Sequence, residues 1–151
     1  MSRLSFNLKV ICNLEEFIQG AILMRKVDVT CAIIIFNNQT LVVQRNENMD
    51  LPLKWEFPGG KIERGESEED CIKREIREEL NIEIELISRL TPSRYDYPSI
   101  SVQLIPFLAK YVQGELKLSE HKQYLLLSKD KLEKLDWAEA DIPILAEYLN
   151  L

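Results

Sequence analysis

Residues 60–82 read GKIERGESEEDCIKREIREELNI, and the second half of this stretch has the marks of an amphipathic helix with defined ends. Ser67 is a natural N-cap, with Asp70 three residues on as its capping-box partner. Ile72, Ile76 and Leu80 recur at i+4 and form a stripe to be buried, and Asn81 can close the helix in the left-handed conformation. The polar run KIERGE before Ser67 reads as a loop. Glu75, Glu78 and Glu79 are spaced three and four apart, so they share one arc of about 100° beside the apolar stripe. Three carboxylates shielded in this way repel one another, and without a counter-charge at least one pKa must rise. Magnesium, a hard cation that takes oxygen ligands, is a natural remedy. A solvated acidic face held by Glu-to-base pairs is the alternative.

Working outward, Val29–Phe36 (VTCAIIIF) and Leu41–Gln44 (LVVQ) are apolar, β-branched runs. The Asn37-Asn38 pair between them predicts an antiparallel hairpin. Residues 46–54 are polar and read as a loop. Trp55-Glu56-Phe57 reads as a short strand ended by Pro58-Gly59-Gly60. Strand-like stretches follow near 82–88, 100–112 and 123–127, and Pro106 inside the second predicts an edge or a bulge. Asp141 with Pro143 opens a last helix carrying Ile144, Leu145 and Tyr148. Strands, helix, strands, helix is the order of a mixed α/β (α+β) sandwich. Residues 1–28 stand apart as an N-terminal extension before a domain at 29–151. Leu14, Phe17, Ile18, Ala21 and Ile22 predict a short helix there, and Met24 is an alternative start.

At 151 residues, 46% hydrophobic, the chain suits one domain with a real core. Its net charge of −6 is concentrated: residues 61–85 hold ten acids and five bases, leaving fifteen acids and fourteen bases elsewhere. This balance argues against direct nucleic-acid binding, which needs basic stripes, but not against a small phosphorylated ligand bound through a cation. No apolar run approaches the roughly 18 residues of a membrane span. The N-terminal apolar stretch is broken by Asn13, Glu15 and Glu16, a poor secretory signal. Cys12, Cys31 and Cys71 are odd in number and have no C-x-x-C pairing. They read as reduced thiols of a cytoplasmic protein.

The pattern Gly60-(five residues)-Glu66-(seven)-Arg74-Glu75-Ile76-Arg77-Glu78-Glu79-Leu80-Asn81-Ile82 resembles the signature box of the Nudix hydrolases. Asn81 stands where that family usually has glycine, and asparagine is the next-best left-handed residue. Softer matches flank the box: Leu41–Arg45, Lys54–Gly60, Glu120-His121 and Trp137–Pro143. Through these, residues 29–151 look like the MutT-type branch, which cleans nucleoside triphosphate pools.

The resemblance implies a Nudix-type α/β/α sandwich. It also implies a magnesium-dependent hydrolase (manganese in its place possible) that cuts nucleoside triphosphates to monophosphate and pyrophosphate. It places metal on Glu75, Glu78, Glu79 and the Gly60 carbonyl. Arg74 then orients the glutamates, or simply pairs with Glu78 at i+4, and Glu66 fixes the loop, or simply complements the helix dipole. The proton acceptor is Glu75 or Glu120, and His121 is a neighbour rather than the catalyst. Arg45 matches a phosphate-contacting arginine, a role its donor fork suits. Phe57 either lines a base pocket or is core. Asp141 falls where 8-oxo-guanine-selective relatives have asparagine. Ionised, it only accepts hydrogen bonds and suits an exocyclic amine such as cytosine's. As a helix N-cap it has no such role. Other nucleoside diphosphate derivatives, or nucleotide sensing without turnover, are the alternative functions.

Overall fold

The computed structural model describes residues 24–151. The predicted helix at Leu14–Ile22, and Cys12, lie outside the described residues. The first strand, β1, runs Arg25–Phe36 and β2 runs Gln39–Gln44. They pair antiparallel through Asn37 and Asn38, both at positive φ (49° and 61°), as a two-residue hairpin turn of this kind requires. β1 starts four residues before its apolar run. Arg25, Lys26 and Asp28 carry no hydrophobic signal, and backbone pairing with β7 holds them in the sheet.

β3 is Trp55–Glu56 and β4 is Gly59–Lys61. The sequence reading ended a strand at Pro58-Gly59-Gly60, yet these glycines begin another, antiparallel to β1. Glycine gives no side-chain pattern to read, and here close approach demands it. A Cβ on Gly59 would lie 1.9 Å from the Thr30 carbonyl oxygen.

Helix α1 is Glu68–Leu80, capped by the Ser67 side chain, which accepts from the Asp70 N–H. Asn81 closes it at φ 57°. β5 (Ile82–Arg89), β6 (Ser93–Asp96), β7 (Ile100–Gly114) and β8 (Gln123–Leu127) complete an eight-stranded mixed sheet. Its main path is β3-β2-β1-β7-β5, with β4 on β1, β6 on β7 and β8 on β2. The chain then forms α2 (Lys129–Leu132), a 3₁₀ turn at Glu139–Asp141, and α3 (Ile142–Leu149).

Pro106 is not on an edge strand. β7 pairs with β1 on one side and with β5 and β6 on the other. The Pro106 carbonyl accepts from Leu90 N–H, where the neighbouring chain has left β5 and not yet entered β6. Its missing N–H faces that interruption, so no ladder bond is lost.

Alternation along the strands divides the core in two. Cys31, Ile33, Val42, Trp55 and Phe57 pack toward α2 and α3, against Leu132, Trp137, Ile144, Leu145 and Tyr148. Ala32, Ile34, Leu41 and Val43 pack toward α1, against Ile72, Ile76 and Leu80. These three α1 residues are fully buried, a contribution of about 1.5–3 kcal/mol each. The result is the expected α/β/α sandwich. Among the described residues no helix is long and apolar enough to cross a membrane.

Candidate active site

Arg74, near the middle of α1, organises the acidic arc. Its Nε and Nη2 donate to the two oxygens of Glu66 (2.6 and 3.0 Å), and Nη2 also donates to the Lys61 carbonyl (3.2 Å). Nη1 donates to Glu75 (2.7 Å) and Glu78 (3.1 Å). Thus Arg74 ties the loop before α1 to the helix and also makes the i+4 pair with Glu78. The Arg74 hydrogen bonds pull the Glu66 pKa down to about 2. Glu66 fixes the loop as expected, and its oxygen also accepts from Glu63 N–H at 3.0 Å.

The three glutamates differ in environment. Glu78 is exposed at 60% of its side chain, whereas Glu75 is exposed at 15% and is turned into Arg74. Glu79 has a buried Oε2 with no hydrogen-bond partner. Burial first, then the charges of Glu75, Glu56, Glu120 and Glu78, push its pKa up to about 8. The rise expected of the acidic arc therefore falls on Glu79. Among the described residues no three acidic, histidine or cysteine side chains are gathered closely enough to ligate one ion together. The donor set nevertheless suits a hard divalent cation. It is all oxygen, it is over-charged, and it includes an orphaned buried carboxylate atom.

Gly60 lies against this site. A Cβ there would fall 2.2 to 2.6 Å from the Glu75 carboxyl atoms. Its carbonyl faces β1, where Thr30 Oγ1 donates to it at 3.3 Å.

A second group comes from β2, β3 and the loop before β8. Arg45 donates through Nη1 to Glu56 (2.9 Å) and through Nε to the Asp50 carbonyl. Glu56 also accepts from His121 Nε2 (2.8 Å), and His121 is buried. Glu120 is exposed, and its carbonyl accepts from Asn46 Nδ2 at 2.7 Å. The loop before β8 is fastened to the end of α1: Lys117 N–H donates to the Leu80 carbonyl and Ser119 N–H to the Glu79 carbonyl. Asn81 Nδ2 adds a bond to the Glu115 carbonyl (3.0 Å), which a glycine could not make.

On the other face of the sheet, just after β3, Phe57 is 3% exposed and packs on Trp137 with ring centroids 4.7 Å apart. It is core. Its N–H donates to Asp141 Oδ1 at 2.9 Å. Asp141 does not cap α3, since its side chain makes no capping bond and its backbone is already helical. Burial first, then the Glu56 charge, raises the Asp141 pKa well above its ordinary value.

Glu56 escaped the sequence reading as a site residue. The available signal was a carboxylate placed between two aromatic residues of one strand. By alternation it faces away from Trp55 and Phe57, toward the α1 side of the sheet.

Comparison with known proteins agrees with this geometry. Residues 24–148 match the NUDIX domain. The chain is 30% identical over 128 residues to the CTP pyrophosphohydrolase of Escherichia coli (strain K12), covering 85% of this chain and 95% of that protein. It is also 30% identical over 129 residues to the 8-oxo-dGTP diphosphatase of the same strain, covering 85% of this chain and all of that one. The solution structure of MutT from methicillin-resistant Staphylococcus aureus 252 superposes with a TM-score of 0.70 at 38% identity, covering 85% and 98% of the two chains. A fold with an Arg-ordered acidic helix behind a glycine loop thus defines the class. The chain belongs to the Nudix family, and it is a hydrolase of the MutT-like branch acting on phosphoanhydride bonds. Nudix hydrolases as a family need divalent metal ions.

Proposed function

We propose that the chain hydrolyses nucleoside triphosphates to the monophosphate and pyrophosphate, with magnesium as its ion and cytidine-type nucleotides among its substrates. The orphaned, charge-crowded Glu79 carboxylate carries this reading, because a cation and a polyphosphate together balance the acidic arc. Glu75, Glu78 and Glu79 would hold magnesium, or manganese in its place. The Gly60 carbonyl already accepts from Thr30 Oγ1 and, at 3.6 Å, from Cys71 Sγ, so it would need to give up a donor to join them. When bound, the ion supplies charge neutralisation and an acidified water.

The chain's own residues supply the rest. Arg45 binds phosphate oxygens through the donors that Glu56 and Asp50 leave free. Arg74 orients Glu75 and Glu78. Glu75 or Glu120 takes the proton of the attacking water, and Glu120 is the exposed one of the two, free of Arg74.

Asp141 governs base choice. Its raised pKa favours the protonated form, which donates as well as accepts. That differs from the ionised acceptor read from sequence, and it brings Asp141 close to asparagine in hydrogen-bonding capacity. Cytosine and oxidised purine are then both acceptable, in keeping with the names of the two E. coli relatives.

The test is release of the nucleoside monophosphate, with pyrophosphate as co-product, from CTP, dCTP, dGTP, 8-oxo-dGTP and ATP, and release of the monophosphate with a sugar phosphate from UDP-glucose and ADP-ribose alongside, in magnesium or in manganese. Metal-dependent release from at least one triphosphate, abolished in Glu79→Gln, is expected. Turnover of the sugar nucleotides alone overturns the triphosphate reading. Tight nucleotide binding without turnover overturns catalysis.

A further inference from the structure

Glu56 has two carboxylate oxygens, and both are engaged. Oε2 accepts from Arg45 Nη1 at 2.9 Å and Oε1 from His121 Nε2 at 2.8 Å. The carboxylate can only accept, so the imidazole proton sits on Nε2. The arrangement is sheltered, with 18% of the Glu56 side chain exposed, 20% of Arg45 and 2% of His121.

Two features set this apart from an ordinary ion pair. First, Glu56 and the Asp50 carbonyl hold Arg45 through Nη1 and Nε, while Nη2 has no protein acceptor among the described residues. The guanidinium is therefore aimed before any ligand arrives, and an aimed fork loses little rotamer freedom on binding an oxyanion. Second, the neighbours repeat the linkage. Asn46, next to Arg45, donates to the carbonyl of Glu120, next to His121. Two consecutive residues after β2 are thus tied to two consecutive residues of the loop before β8, with Glu56 between them. The same carboxylate is close enough to Glu79 to raise its pKa.

We infer that Glu56 is a positioning residue of the hydrolysis, fixing the Arg45 fork and the Glu120 loop relative to each other. This rests on the triphosphate reading through the role given to Arg45. A merely structural ion pair would shift the melting temperature and leave the kinetic constants alone, whereas a positioning residue shifts kcat/KM and couples to Arg45.

The experiment compares wild type, Glu56→Gln, Arg45→Ala and the double variant. Steady-state kinetics use CTP and 8-oxo-dGTP with magnesium. The Arg45 side-chain Nε–H and the His121 ring N–H are followed by NMR on the same proteins without nucleotide. Glu56→Gln is expected to lower kcat/KM about 10- to 100-fold, in the range that misplacing a reacting group costs. The double variant is expected to fall by clearly less than the product of the two single effects, and both NMR signals are expected to broaden or vanish in Glu56→Gln. If Glu56→Gln misfolds, Glu56→Asp, one methylene shorter, takes its place in the same comparisons.

Glu56→Gln within twofold of wild type, with Arg45→Ala impaired, overturns the inference and leaves the triphosphate reading standing. Effects that multiply in the double variant also overturn it. If wild type turns over none of the five triphosphates, the triphosphate reading fails, and the NMR signals decide the positioning alone. Unchanged signals in Glu56→Gln refute it, and their loss upholds it.

Discussion

Glu79 makes the stability of the metal-free protein depend on pH in a predictable direction. Its folded pKa is raised to about 8 from 4.5. Between those values the folded state keeps a proton that the unfolded chain has released, so stability falls as pH rises. Each unit of this interval is worth about 1.4 kcal/mol, which bounds the loss at roughly 5 kcal/mol by pH 8. For a chain of this size that is on the order of 10 °C in melting temperature. Asp141 acts in the same direction, so the wild-type slope combines both groups. The depressed pKa of Glu66, about 2, acts in the opposite direction and only in acid: its contribution is complete above 4.5 and is lost as pH falls toward 2. The assay is thermal melting from pH 5 to 9, in chelator and in millimolar magnesium, for wild type and Glu79→Gln. In chelator the wild type is expected to lose stability as pH rises, and Glu79→Gln to lose distinctly less. Magnesium should stabilise the wild type more at pH 8.5 than at pH 5.5, because there the cation replaces no proton. Parallel pH slopes for the two proteins in chelator would refute the reasoning.

The two adjacent glycines should fail in different ways. In Gly59→Ala the new Cβ meets Thr30 backbone, which cannot yield, so the melting temperature should fall by many degrees. In Gly60→Ala it meets the far end of the Glu75 side chain, so melting should change little while kcat/KM drops about 100-fold. Ser67→Ala removes the bond to Asp70 N–H and should cost about 1 kcal/mol in chemical denaturation. Asp141→Asn keeps an acceptor for Phe57 N–H, so the relative kcat/KM for CTP and 8-oxo-dGTP should change by less than about tenfold. A larger swing would show that Asp141 acts as an ionised acceptor.

What was legible in the sequence was local. Asn37-Asn38 gave away its hairpin through backbone preference, and Ser67, the Ile72/Ile76/Leu80 stripe and Asn81 marked the ends and inner face of α1. The link from Arg74 to Glu78 follows from helical spacing. Its links to Glu66 and the Lys61 carbonyl need the loop to fold back, which spacing does not predict. β4 was hidden because glycines carry no periodicity, and the start of β1 because its polar residues are held by β7, 75 positions away in sequence. The Glu56 bonds to Arg45 and His121 span 11 and 65 residues, and the Asp141 bond to Phe57 spans 84. Such juxtapositions are products of sheet order, which no short window of sequence contains.

The fastening of residues 115–119 to the end of α1 has a consequence for how the site opens. The last carbonyls of a helix lack partners within it, and here loop amides supply two of them. Helix termination and placement of the Glu120 segment are therefore one cooperative event. Native-state hydrogen exchange should report the Lys117 and Ser119 amides opening together with the final turn of α1, not with the free loops.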